Sequence, residues 1–194
     1  MVVSIIDLGI GNIRSLENTL DLIGVTYQRI TSAGELGSAE KVILPGNGAF
    51  DAIIGALCEN NLASLLKKRI STGMPYLGIC VGMQILFTGS DEGIRDGLSL
   101  IPSRIKKFKN FNNYAHIGWE AVFTASEHKV GDFYFMHQYR SDIVEDEYQY
   151  QHCIFPEVFS CGVRVHNAVG VQFHPEKSGS DGEKFLLDWC NVGV

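Results

Sequence analysis

The sequence predicts an α/β fold: a mostly parallel central sheet with helices on both faces, and a smaller antiparallel layer from the second half. Three observations predict it. Short apolar runs alternate with helically spaced apolar residues through the first half of the chain. The strand-to-helix junctions there are rich in glycine. After Ser103 the pattern turns to short strands and turns. The length of 194 residues suits one domain, read as 1–194.

Residues 2–7 form the first apolar run. Gly9, Ile10, Gly11 and Asn12 follow, with Asn12 placed to cap a helix. In that helix Ile13, Leu16, Leu20 and Ile23 recur at helical spacing, and Gly24 ends it. The two glycines invite a dinucleotide-binding reading. The third glycine of that fingerprint is missing, and the next strand (25–30) runs into Thr31 and Ser32, not an acid. A plain βα loop is the better reading.

Residues 41–44 are a buried strand, followed by Pro45, Gly46, Asn47 and Gly48. Asn-Gly signals a hairpin between alternating strands. Here helices follow instead, at 49–54 and 62–70. Glycines in such a loop let a backbone N–H be aimed at an oxyanion.

Residues 74–87 carry the most informative turn. A short buried strand leads into Cys80, set between Gly78 and Gly82, and an apolar helix runs on to Phe87. This is the cysteine form of the nucleophile elbow, in which a sharp turn lifts the side chain clear and frees adjacent N–H groups. All three βα loops belong at the carboxyl edge of the sheet, where sites collect.

Residues 88–102 read as a polar loop containing Asp91 and Glu92. Strands follow at 104–108, 119–123, 133–137 and 148–154. Two more, at 162–165 and 169–173, flank His166 and Asn167 like a hairpin, and a helix over 178–190 closes the chain.

The net charge of -6 argues against a nucleic-acid surface. Basic clusters at 67–69 and 104–109 read as a solvated helix end and strand edge. No stretch approaches the ~18 apolar residues of a membrane span, and the N-terminus lacks a signal peptide's basic region. The cysteines are Cys58, Cys80, Cys153, Cys161 and Cys190. Their odd number and the absence of a C-x-x-C pair favour neither a disulfide framework nor a zinc site. No metal or other cofactor is expected, and a cytoplasmic location is.

The second informative stretch is Val171-Gln172-Phe173-His174-Pro175-Glu176-Lys177. Pro175 keeps His174 out of the helical region, so the segment is expected to be extended, with His174 and Glu176 on one side. A carboxylate on one ring nitrogen fixes the tautomer and stabilises the imidazolium formed when the other takes a thiol proton. Cys80, His174 and Glu176 thus supply nucleophile, base and orienter, with the loop at Gly46, Asn47 and Gly48 as oxyanion site. Cys80 is expected to be partly exposed and within hydrogen-bond reach of His174. The chemistry is thiol-dependent acyl transfer.

These motifs resemble the class I (triad) glutamine amidotransferases, whose fold is flavodoxin-like. Pro45-Gly46-x-Gly48, Gly78-Ile79-Cys80-Val81-Gly82-Met83-Gln84 and Phe173-His174-Pro175-Glu176-Lys177-Ser178 carry the resemblance. Within the family the order and spacing are most similar to the glutaminase subunits of imidazole glycerol phosphate synthases. His116-Ile117-Gly118-Trp119 and Tyr134-Phe135-Met136-His137-x-Tyr139 add to that match, which runs nearly the full length.

The resemblance implies hydrolysis of glutamine to glutamate and ammonia through a thioester on Cys80. It adds the Val81 N–H to the oxyanion site and puts Gln84, Glu92, His137, Gln138 and Tyr139 around glutamine. It implies a heterodimer with a (β/α)₈-barrel cyclase in histidine biosynthesis, with Asn12, Trp119, Glu120, Tyr134 and Lys177 at the docking face and ammonia gate. The pattern departs at Asn47, usually valine, at Glu120, usually asparagine, and at Gln138, usually a small hydroxyl residue. Two alternatives follow: a paralogue supplying ammonia to amidinate a surface-polysaccharide sugar, and a non-catalytic regulatory subunit. Another cysteine hydrolase, such as a peptidase, shares the architecture.

Overall fold

The computed structural model describes residues 2–109 and 115–192. The first half alternates as expected: β1 (Val3–Ile6), α1 (Arg14–Leu22), β2 (Tyr27–Ile30), α2 (Ala33–Ser38), β3 (Val42–Leu44), α3 (Phe50–Glu59), α4 (Ala63–Ser71), β4 (Tyr76–Ile79) and α5 (Val81–Gln84). The second half holds β5 (Lys106–Lys107), β6 (His116–Thr124), β7 (Lys129–His137), β8 (Tyr139–Arg140), β9 (Gln149–Cys153), β10 (Phe159–Val165) and β11 (Ala168–Val171). A 3₁₀ turn at Pro175–Lys177 and α6 (Gly179–Val192) close the chain.

Among the described residues, nine strands form one sheet in the order β2-β1-β3-β4-β11-β10-β9-β6-β7. The pairs from β2 to β11 are parallel, and those from β11 to β7 antiparallel. β5 and β8 make a separate two-stranded antiparallel sheet. The α/β fold with its parallel core and small antiparallel layer is therefore as predicted. Most of the antiparallel strands extend the main sheet.

Burial explains the two halves. β1, β3, β4 and β11 are buried at every residue, as strands covered on both faces must be. The chain moves one way from β1 to β2 and the other way to β3 and β4. Right-handed crossovers then put α1 on one face and α2, α3 and α4 on the other. β6 and β7 lack that double cover. On β7, Phe133, Phe135 and His137 are buried, whereas Tyr134 is half-buried and Met136 exposed. The Phe133 and Phe173 rings meet at a tilt of 32° with centroids 4.1 Å apart, and Phe185 of α6 closes the cluster at 5.5 Å from Phe173.

Three expectations need correction. The apolar helix after Cys80 is only one turn long. The carbonyls that would continue it are taken by a distant loop: Leu98 N–H donates to Ile85 O at 2.7 Å, Ile101 to Leu86 O at 3.0 Å and Ser99 to Phe87 O at 3.1 Å. The strand at 104–108 shrinks to β5, because its ladder partner β8 is two residues long. The segment after His174 is not extended. Pro175 opens a 3₁₀ turn that includes Glu176, a use of proline at the first helical position. Helix α2 was not predicted, although Ser32 and Glu35 spell its capping box.

Candidate active site

The loops after β1, β3, β4 and β11 leave the sheet at its carboxyl edge. They carry Asn12, residues 45–48, Cys80 and His174. The N-cap of α1 is Ile13 and not Asn12; Asn12 stands one residue earlier, where its carboxamide oxygen accepts from Arg14 N–H at 3.0 Å.

Cys80 has φ 53° and ψ -109°, a backbone state rare for any residue with a Cβ. Its N–H donates to Val171 O at 2.8 Å, and its carbonyl accepts from Met83 and Gln84 at 3.0 and 3.1 Å to start α5. The elbow closes only because glycines surround it. A Cβ on Gly46 would lie 2.3 Å from Gly82 N and 2.6 Å from Val81 N. The 45–48 loop thus lies against the first N–H groups of α5, which by position have no helical acceptor. Asn47 is tied down separately. Its Nδ2 donates to Asn12 O at 3.2 Å, and Gly11 packs so closely that a Cβ there would meet Asn47 O at 2.4 Å.

His174 is 1% exposed, and its Nδ1 donates to Glu176 Oε1 at 2.8 Å. The ring is fixed by its backbone: His174 N–H donates to Tyr134 O at 2.8 Å, and His174 O accepts from Ser178 Oγ at 2.6 Å. That leaves Nε2 for the thiol. Burial opposes a charged ring, but contacts with Cys80 and Glu176 outweigh it and raise the His174 pKa to about 10. Nε2 makes no bond of regular geometry among the described residues, so the thiol contact is looser than a formed hydrogen bond. Cys80 itself is 5% exposed, more enclosed than expected. It is reached through a cavity of about 290 Å³.

That cavity gathers most of the predicted site. Gly46, Asn47, Gly48, Cys80, Val81, Gln84, Glu92, His137, Gln138, Tyr139 and His174 all line it, with Glu176 behind His174. Glu92 also accepts Phe50 N–H at 2.9 Å, at the start of α3. Burial lowers the His137 pKa to about 3, keeping the ring neutral. A larger cavity of about 490 Å³ beneath α6 shares no residue with this one.

The five residues expected at a docking face are not gathered into the cavity. Trp119 and Tyr134 face each other across β6 and β7 with rings 6.0 Å apart. Lys177 and Asn12 are exposed. Glu120 lies on the opposite side of β6 from Trp119, 3.6 Å from His116 Nε2. Ala115 and Met136 line the cavity and were not anticipated. Nor was Gln172, which contacts Cys80 at 3.5 Å.

Among the described residues, no three or more His, Cys, Asp or Glu gather as a metal site. None of the helices there is long and apolar enough to cross a membrane.

A thiol in a strand-to-helix elbow, facing a carboxylate-bound histidine at the carboxyl edge of a parallel sheet, defines a class of α/β acyl-transfer enzymes. Residues 4–192 match the family model for class I glutamine amidotransferases, and the chain belongs to that family. It is 34% identical to the imidazole glycerol phosphate synthase subunit HisH of Leptospira interrogans, over 98% of this chain and 100% of that protein. It is 36% identical to the HisH subunit of Bacillus cereus (strain B4264), over 98% and 95%. The chloroplastic imidazole glycerol phosphate synthase hisHF of Arabidopsis thaliana is 36% identical over 95% of this chain and 33% of its own length. Among solved structures, a glutamine amidotransferase superposes with a TM-score of 0.77 at 16% identity, covering 98% of each chain. PurLQS from Thermotoga maritima gives 0.74 at 19%, covering 96% of each. These two likenesses concern the fold.

Proposed function

We propose that this protein is the glutaminase subunit of an imidazole glycerol phosphate synthase, hydrolysing glutamine and passing ammonia to a (β/α)₈-barrel partner in histidine biosynthesis. The observation that carries the chemistry is the His174–Glu176 pair at 2.8 Å, sharing one cavity wall with Cys80. The acceptor reading is supported by the HisH relatives, at 34 to 36% identity over nearly the whole chain. The match to only a third of hisHF supports a second unit beside this one. The family match over 4–192 supports reading 1–194 as a single domain. Five free thiols among the described residues agree with a reducing cytoplasm.

In this mechanism the Cys80 thiolate attacks the γ-carbonyl carbon of glutamine, and His174 holds the thiol proton. The tetrahedral oxyanion is received by N–H groups of Val81 and of the loop at Gly46, Asn47 and Gly48. The intermediate collapses, the C–N bond breaks, and His174 returns its proton to the departing ammonia. Water, deprotonated by His174, then attacks the thioester and releases glutamate and the thiol. Gln84 Oε1 is a buried acceptor with no partner among the described residues, suited to a substrate N–H. Glu92, His137, Gln138 and Tyr139 complete the glutamine pocket. Asn12, Trp119, Tyr134 and Lys177 form the docking face, to which exposed Ile117 and Met136 belong; Glu120, on the other side of β6, turns to His116 instead.

The test pairs this chain with the barrel subunit of its own organism. Cys80→Ala abolishes glutamine-dependent synthesis of imidazole glycerol phosphate and leaves ammonia-dependent synthesis intact. Unchanged glutamine-dependent synthesis would make this a non-catalytic subunit. Glutamine hydrolysis without that product would move the acceptor to another substrate, such as a sugar.

A further inference from the structure

The Cys80 sulfur has a second polar neighbour besides His174. Gln172, fully buried just after β11, directs its side-chain Nε2 at Cys80 Sγ from 3.5 Å. Its Oε1 accepts from Gln84 Nε2 at 3.0 Å. Gln84 Nε2 also donates to Tyr139 O at 3.2 Å, which uses both of its hydrogens. The same carbonyl accepts from His137 Nδ1 at 2.9 Å.

Amide orientations are assigned by their networks, and here the assignment is forced. A backbone carbonyl only accepts, so Gln84 must turn its NH₂ toward Tyr139. Its remaining hydrogen needs an acceptor, so Gln172 must turn its oxygen toward Gln84. The NH₂ of Gln172 is then left facing the sulfur. Flipping Gln84 sets oxygen against oxygen at Tyr139. Flipping Gln172 alone sets donor against donor.

We infer that Gln172 is a further catalytic residue, whose side-chain N–H holds the Cys80 sulfur in its thiolate form and in register for attack, in an orientation dictated through Gln84 by the Tyr139 carbonyl. A thiol is a weak acceptor and a thiolate a strong one, so a fixed donor favours the ionised nucleophile. This rests on the glutaminase reading for its catalytic meaning, though the thiol property can be measured without substrate.

The experiment follows alkylation of Cys80 by iodoacetamide against pH in the full-length protein, with Cys80→Ala as the blank for the other cysteines. In Gln172→Met the alkylation midpoint rises by about one pH unit, and the rate at neutral pH falls about tenfold. Gln84→Met moves the midpoint in the same direction by less, because it unlocks the Gln172 amide. A purely structural Gln172 predicts no shift in Gln84→Met. Far-UV circular dichroism establishes that each variant is folded. If Gln172→Met does not fold, Gln84→Met decides alone. Folded variants with the wild-type midpoint overturn the inference. A wild type that alkylates normally yet releases no glutamate with its partner overturns the glutaminase reading instead.

Discussion

Cys80 combines φ 53° with ψ -109°, outside the left-handed region that other residues occasionally visit. Such a conformation costs about 1–3 kcal/mol in any residue with a Cβ. The hydrogen bond to Val171 O and the packing of Gly46 against Gly82 hold it there. Comparing two variants that both lack the sulfur isolates this strain. Cys80→Gly is more stable than Cys80→Ala by about 1 kcal/mol, a difference that offsets glycine's greater unfolded entropy. The measurement is the urea midpoint at unchanged slope, and a Cys80→Gly midpoint below that of Cys80→Ala would show that the elbow is relaxed. The gathering of Cys80, His174 and Glu176 was legible because Cys80 sits between glycines and because Pro175 isolates His174 from helix. The role of Gln172 was not legible. An amide inside an apolar run gains meaning only from partners far away in the chain, here Gln84 and Cys80.

β6 and β7 bring two buried histidines into contact. His137 donates Nδ1–H to Tyr139 O, so its Nε2 must accept, and His116 Nδ1 donates to it at 3.0 Å. His137 is therefore neutral. Burial lowers the His116 pKa to about 4. For His137 burial again comes first, joined by repulsion from His116 and His174, and the value falls to about 3. Glu120 is the carboxyl nearest His116, at 3.6 Å, and its own pKa is raised by burial. The unfolded chain titrates both rings near about 6.5. Below that pH the unfolded state binds protons that the folded state refuses, so stability present at neutral pH is lost as pH falls toward about 4. The urea midpoint against pH measures the loss. His137→Gln keeps a donor and an acceptor but cannot titrate, and it cuts the slope between about pH 6 and 4.5 by roughly half. An unchanged slope would mean that carboxylates govern the acid limb. The strand holding His137 was legible from apolar patterning, whereas β6 was read as 119–123, which leaves His116 outside it. α5 was not legible in length, since residues 97–101 end it from across a loop.

The whole sheet passes from double cover at β1, β3 and β4 to one covered face at β6 and β7, where the outer residues remain unpartnered. Ile117 is opposite Met136 and Trp119 opposite Tyr134, so these four share one side. Ile117 is 60% exposed, Trp119 55% and Met136 37%, a contiguous apolar surface of the kind that marks an interaction site. Met136 also lines the Cys80 cavity, so the patch borders that cavity. A barrel subunit seated there would cover the patch and the cavity mouth together. Trp119→Ala and Ile117→Asp each weaken association with the barrel subunit by about thirtyfold or more, the loss typical of a central aromatic or apolar anchor. Partner-stimulated glutamate release then moves to higher partner concentration by the same factor. The pH midpoint of Cys80 alkylation stays at its wild-type value, because both side chains point away from the buried face of β6. Calorimetric titration of the two purified chains reads the affinity directly. Wild-type affinity in both variants would shift the docking surface to the other exposed apolar group, Ile154, Phe155 and Val158, each 53% exposed beside β9 and β10.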